Sequence, residues 1–167
     1  STNTHALHLA RGGIIEGTVI VSEYQTRGRG RFRRRWYAPA GKDLLFSIVL
    51  RPPHAVHALP LITHLAARSV KEALEAAAGV KCRLKKPNDV LVGDRKICGI
   101  LTESSSRHAA VQCVVVGIGI NCNSTGAGLV KGATSVYTET GAVCARDTLL
   151  QQILRIFARH YETFRRG

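Results

Sequence analysis

The chain is short of acidic residues, of aromatic residues and of long apolar runs. Only 11 of its 167 residues are aspartate or glutamate, against 24 lysines and arginines, which leaves a formal net charge of +13. An excess of that size invites a polyanion or a membrane surface as partner. Aromatic residues make up 5% of the total, and the most basic stretch offers only Phe32, Trp36 and Tyr37. A stacking platform for nucleic acid wants more aromatics among its cations, which counts against that partner. No apolar run approaches the ~18 residues of a membrane-spanning helix. No signal peptide is visible at a beginning that is abrupt. The five cysteines are odd in number, and no two are spaced C-x-x-C. This argues against a disulfide framework and a structural zinc site, and for a reducing, cytoplasmic setting. No G-x-x-x-x-G-K-[ST] is present, so a P-loop is excluded. Gly117-x-Gly119-x-x-Cys122 lacks the third glycine of a dinucleotide fingerprint. His5-x-x-His8 and His54-x-x-His57 have no carboxylate or cysteine to complete a metal set.

What is present is organised around one loop. Six of the nine residues from Arg27 to Arg35 are arginine, and the others are Gly28, Gly30 and Phe32. The excess positive charge is therefore partly local, which suits an anionic ligand as well as a polyanion. A stretch so polar and glycine-rich cannot bury a face, so it reads as a mobile surface loop. Arginine forks bind carboxylate and phosphate oxygens in pairs, and glycines let backbone N–H groups approach a ligand. The loop looks built to close over an anion and to order around it; a solvated basic loop is the alternative.

The remainder is globular in composition, with 45% hydrophobic residues and a mean hydropathy of +0.01. The length suits one domain with its own core. A short helix is expected after Ser1-Thr2-Asn3-Thr4, ended by Gly12-Gly13. Residues 18–22 read as a strand continuing into Glu23-Tyr24-Gln25, and residues 44–50 as a second strand stopped by Pro52-Pro53. Apolar residues recur at helical spacing over residues 59–78, with Gly79 as the stop. A strand over 82–85, a break at Lys86-Pro87-Asn88-Asp89, and a hairpin of 90–92 with 97–101 follow. Residues 104–108 read as a polar turn, 110–120 as a long apolar strand, 124–132 as a glycine-rich loop and 147–164 as an amphipathic helix. Together these imply an α+β fold: a mixed, largely antiparallel sheet covered on one face by helices.

Taken singly, the polar residues in this frame are ambiguous. Lys96 interrupts an apolar strand and either faces water or serves a site. Asp89 beside Asn88 either holds Mg2+ or shapes a turn. Asn121, at the end of the apolar strand, either reads a purine edge or closes a turn.

The order of these segments is more telling. Ser1-Thr2-Asn3; Glu23-Tyr24-Gln25-Thr26-Arg27-Gly28-Arg29-Gly30-Arg31 with Trp36 and Pro39-x-Gly41-x-x-Leu44; Lys86-Pro87-Asn88-Asp89-Val90; Lys96-Ile97-Cys98-Gly99-Ile100-Leu101; Gly117-Ile118-Gly119-Ile120-Asn121; and Ala133-Thr134-Ser135 together resemble the catalytic domain of biotin protein ligases, which join biotin to a lysine of biotin-dependent carboxylases. The resemblance runs from Ser1 to about Ser135 and implies one catalytic domain over residues 1–167. It implies biotin and ATP as substrates, Mg2+ as cofactor and a biotin carboxyl carrier domain as partner; it leaves a homodimer open and calls for no membrane. By the same resemblance Ser1, Thr2, Asn3, Gln25 and Gly99 line the biotin site. Gly28, Arg29, Gly30 and Arg31 fold over biotin and the adenylate. Trp36 stacks on adenine, and Asn121 reads it. Lys96 contacts the biotin carboxylate and the α-phosphate. Asn88 and Asp89 serve the phosphates, the metal and the acceptor lysine.

Three features depart from the family pattern. Lys86 stands where the family has tryptophan between lysine and proline, which replaces an apolar wall near biotin with a charge. The aspartate that usually precedes Ser-Thr-Asn is not found in residues 1–167, and neither is the small C-terminal β-barrel domain. The competing functions are a lipoate or octanoate ligase or transferase, whose arginine-and-glycine signature often ends in a histidine not found here, and an RGG-like nucleic-acid-binding module.

Overall fold

The strand Leu44–Leu50 (β2) is buried along its whole length, as a run of Leu-Leu-Phe-Ser-Ile-Val-Leu requires when both faces of a sheet are covered. In the computed structural model, which describes residues 1–52, 55–107 and 110–166, it lies second from one edge of a six-stranded sheet. The other strands are β1 (Val19–Ser22), β3 (Cys82–Lys85), β4 (Asp89–Val92), β5 (Arg95–Arg107) and β6 (Ala110–Ile120). Their spatial order is β1-β2-β6-β5-β4-β3, and every pairing in it is antiparallel. The α+β expectation holds. The only parallel contact among the described residues is an isolated bridge between Lys96 and Ala133.

Side chains alternate across a strand, and here the two faces have different roles. Leu44, Phe46, Ile48 and Leu50 of β2, with Val114, Val116, Ile118 and Ile120 of β6, form the larger core. It is covered by α2 (Ala55–Ala78) and α4 (Arg146–Arg166). The opposite face carries Val49, Cys113 and Val115, packed against Ala6 and Ala10 of α1 (Thr2–Arg11). Beyond them the same stripe of β6 continues as Gly117 and Gly119, which present no side chain. The hydrophobic cover ends there and a depression begins.

Several expectations need correction. Helices lie on both faces of the sheet and not on one, because α1 covers the second face. Strand β1 stops at Ser22; Glu23, Tyr24 and Gln25 are outside the ladder and turn toward the loop. Helix α2 begins at Ala55, not Leu59, and carries Pro60 inside it. The apolar spacing that marks the helix is carried by Ile62, Ala66, Val70 and Ala73, one turn or more beyond its first residues. The serines 104–106 are not a turn: β5 runs on to Arg107, paired with β6 out to Arg107↔Ala110 across a bulge at Ser105 and Ser106. A five-residue helix, α3 (Val136–Thr140), had no sequence signal; Ser135 caps it by accepting from Thr138 N at 3.0 Å. His54 and the side chain of His57 lie outside the described residues. His5 and His8 sit exposed on α1. No group of three or more metal-ligating side chains is found among the described residues, nor any helix long and apolar enough to cross a membrane.

Phe157 and Tyr161 of α4 stack with ring centroids 5.8 Å apart and close the larger core against α2. Phe157→Ala should lower the stability of the folded chain by about 3–5 kcal/mol, as removal of a buried aromatic does. Leu61→Ala, at a side chain 46% exposed on α2, should change it by no more than about 0.5 kcal/mol. Urea unfolding midpoints at a constant m-value measure both.

Candidate active site

The depression over Gly117 and Gly119 is a cavity of about 470 Å3. Its floor is glycine. A Cβ at Gly117 would run into the side-chain amide of Asn3. A Cβ at Gly99 would come within 2.8 Å of the Trp36 ring and 2.9 Å of Lys96 Nζ, and one at Gly119 within 2.6 Å of Trp36 Cε2. Glycine inside a strand is unfavourable unless something must approach the backbone closely. Here three glycines on two adjacent strands admit Asn3 and Trp36 to the sheet surface.

One wall is the start of α1. Asn3 is 2% exposed. Its Nδ2 donates to Leu101 O at 3.0 Å and to Glu103 Oε2 at 2.8 Å, and its Oδ1 accepts from Ser47 Oγ at 2.6 Å. Ser47 also contacts Thr2 Oγ1 at 2.8 Å, and Thr2 N donates to Gln25 Oε1 at 2.8 Å. This ties the helix start to β2 and to the segment entering the loop, and it leaves Gln25 Nε2 as a donor. Ser1 lines the same wall.

The roof is the arginine loop. It is a hairpin: Gly30 N donates to Arg34 O at 2.7 Å, and Trp36 N to Gly28 O at 3.0 Å. Phe32 and Arg33 at its tip have φ of 55° and 60°, a strained choice for residues other than glycine. Gly28 is buried, and a Cβ there would collide with the Trp36 carbonyl. Two arginines are tethered to residues outside the loop. Arg29 Nη2 meets Glu103 Oε2 at 2.7 Å, and Arg31 Nη1 meets Asn88 Oδ1 at 3.4 Å.

The far wall is the β3–β4 turn with the start of β5. Lys96 Nζ lies 2.7 Å from Asp89 Oδ1 and 5.4 Å from the centroid of the Trp36 ring. The Lys96–Asp89 contact is an ion pair but is not aligned as a hydrogen bond, and Asp89 Oδ1 is a buried acceptor with no hydrogen-bond donor. Trp36 Nε1 is likewise buried and unpartnered. Asn88 is held by its Nδ2, which donates to Ile100 O at 2.8 Å. Lys86 is exposed at the rim and pairs with no carboxylate among the described residues.

Asn121 is buried where β6 ends, and its Nδ2 donates to Thr134 O at 2.9 Å. A carboxamide with its donor so engaged offers the cavity an acceptor, Oδ1. The turn after it is fixed by Asp43, only 1% exposed. Burial pushes the Asp43 carboxyl above the usual carboxylate range. Hydrogen bonds from Ser124 Oγ at 2.6 Å and Cys122 N at 2.9 Å oppose that shift.

Every residue to which the family resemblance gives a site role lines this cavity except Gly28, which shapes the hairpin above it. Two residues were missed. Ser47 is the single polar residue in the apolar strand β2, and a buried hydroxyl there must find a partner. Glu103 was hidden by its neighbours, because the serines after it read as a turn.

Residues 1–121 match the model of the biotin/lipoate A/B protein ligase family. The chain is 38% identical over 168 residues to the bifunctional ligase/repressor BirA of Bacillus spizizenii, across 98% of this chain and 52% of that protein. It is 41% identical over 167 residues to the biotin--[acetyl-CoA-carboxylase] ligase of Paracoccus denitrificans, across 95% of this chain and 68% of that one. Its fold matches the structure of biotin protein ligase from Aquifex aeolicus in complex with biotin and ATP with a TM-score of 0.86 at 31% identity, over 100% of this chain and 68% of that chain. The chain spans about half the length of the Bacillus relatives it matches. With more than two thirds of its residues inside the family model and the same fold along its whole length, the chain belongs to the biotin/lipoate A/B protein ligase family.

Proposed function

We propose that this chain carries the catalytic centre of a biotin–[carboxyl carrier protein] ligase. The observation that carries the reading is the clustering of Lys96, Arg29 and Arg31 around a glycine-floored cavity whose polar walls come from Asn3, Gln25, Asn88 and Asn121. In the first step the biotin carboxylate attacks the α-phosphorus of ATP, giving biotinyl-5′-AMP and releasing pyrophosphate. Two anions must meet, so fixed cations offset their repulsion and the charge of the transition state. The position of Lys96 on the rigid strand β5 supports this role. Its present partner, Asp89, is the carboxylate it would leave for the biotin carboxylate and the α-phosphate. Gln25, Thr2 and Asn3 hold the polar ring of biotin, Trp36 stacks on adenine, and Asn121 accepts from the adenine amino group.

A Mg2+ ion fits the donors present: Asp89 supplies one carboxylate oxygen that has no hydrogen bond, and ATP supplies its phosphates. Magnesium is commonly held by one or two carboxylates with substrate phosphates. The ion would neutralise charge on the polyphosphate. In the second step the lysine amine of a carboxylase carrier domain attacks the acyl carbon of the mixed anhydride, forming the amide and releasing AMP. The anhydride hydrolyses in water, so the loop over the cavity protects it. Five free cysteines suit such work in a reducing cytoplasm. A lipoate or octanoate ligase stays within the same family, and acid specificity separates the two.

Pyrophosphate release should require biotin and ATP together, and lipoate or octanoate in place of biotin should give little. Release with lipoate or octanoate equal to that with biotin would overturn the assignment of the acid. Lys96→Gln should cut single-turnover adenylation ~100-fold, about 3 kcal/mol of lost transition-state stabilisation, while ATP binding changes far less. A solvated strand lysine would change the rate by no more than about 0.5 kcal/mol. Lys86→Trp should tighten biotin binding in calorimetry by restoring an apolar wall. Unchanged or weaker binding would mean that position 86 does not contribute to the pocket.

A further inference from the structure

The arginine loop has six like charges within nine residues, and among the described residues one carboxylate pairs with any of them. It is Glu103, whose Oε2 accepts from Arg29 Nη2 at 2.7 Å and from Asn3 Nδ2 at 2.8 Å. The loop's other polar tethers reach neutral oxygens at longer range: Arg31 to Asn88 Oδ1 and Arg35 to Thr26 O, both at 3.4 Å. Glu103 does not line the main cavity. It lines a second space of about 500 Å3 behind the loop, while Arg29 borders both. The carboxylate therefore holds Arg29 from the rear and does not compete with a ligand from the front. Its own anchor is rigid. Glu103 pairs with Val115 in the sheet, and Asn3 is fixed by Ser47 Oγ at 2.6 Å and Leu101 O at 3.0 Å. One strand, β5, thus carries Lys96 at its start and the loop's anchor seven residues on.

We propose that Glu103 is a positioning residue: it latches the arginine loop shut through Arg29 and so retains the acyl-adenylate, an inference that rests on the function proposed above. Folding the loop brings mutually repelling cations together. A charge-assisted hydrogen bond from Arg29 to a carboxylate fixed on the sheet offsets that repulsion, and a neutral acceptor in the same place is about half as strong. Loss of the charge would leave Lys96 and its chemistry in place and would loosen the lid. The effect falls on biotin KM and on retention of the intermediate, and less on the adenylation kcat.

Glu103→Gln tests this, with Glu103→Ala as a second variant and Glu162→Gln, in an exposed pair on α4, as control. In the ligand-free protein, arginine-specific cleavage within residues 27–35 should rise about tenfold in Glu103→Gln and more in Glu103→Ala. The control should cleave like wild type. Salt should raise wild-type cleavage toward that of the variant, since the pair is partly exposed and screened. After a single turnover with biotin and ATP, bound adenylate should be lost about tenfold faster from Glu103→Gln, and biotin KM should rise by more than kcat falls. Equal thermal midpoints would separate loosening of the loop from unfolding of the sheet. Wild-type cleavage in both Glu103 variants, or a kcat loss larger than the KM rise, would overturn the latch. If wild-type protein forms no adenylate at all, the proposed function fails alone, and the ligand-free cleavage still decides the latch.

Discussion

Three glycines on one face of the sheet are the constraint on which the rest of the site depends. Gly117 and Gly119 continue the stripe that Cys113 and Val115 begin, and Gly99 adjoins them on β5. The first two residues of that stripe bury side chains under α1. The next two have none to bury, so the space they leave is filled by Asn3 and the Trp36 ring. Core and cavity are thus the same surface, divided only by where the side chains stop. A single added methyl on this floor would displace either the amide that holds the helix start or the aromatic ring of the loop.

Charge is arranged around this floor in an uneven way. Lys96 and Arg29 each have one carboxylate, Asp89 and Glu103. The remaining loop arginines have none among the described residues, and neither has Lys86. A folded chain tolerates such unpaired cations only at an exposed rim, where water solvates them, and Lys86 is exposed there. This is the same physics that keeps a lysine at that position out of the apolar part of the pocket. The cavity therefore has a hydrogen-bonding interior, in which Lys96 and Asp89 offset each other's charge, and a cationic mouth.

Much of the fold was legible because its signals are local. The near-continuous apolar runs over residues 44–50 and 110–120, which bury both faces of a strand, and the helical spacing in α2 and α4, which buries one, can each be read within a short segment. The errors also have local causes. The serines of β5 look like a turn because serine competes for backbone hydrogen bonds, yet the ladder to β6 supplies partners that no sequence window contains. Helix α3 is five residues long, too short to show a period, and exists because Ser135 caps it and Asn121 O accepts from Val136 N at 3.1 Å. Helix α1 itself was expected, but not its place on the second face, because its sequence does not say which surface it covers.

By itself the sequence determined the kinds of element, their order, the cationic loop and the set of polar residues from which a site is built, because each is written in residue type and short spacing. Tertiary structure alone decided the pairings among them. Glu103 lies 74 residues from Arg29 and 100 from Asn3, and Asp43 lies 79 from Cys122. Contacts at such separations depend on strand register and on which face a residue meets, and a shift of one residue would reverse every side chain involved. That is why Lys96 was legible as an anomaly in its strand, while its pairing with Asp89, the glycine floor beneath Trp36 and the carboxylate that holds the loop emerge only from the folded sheet.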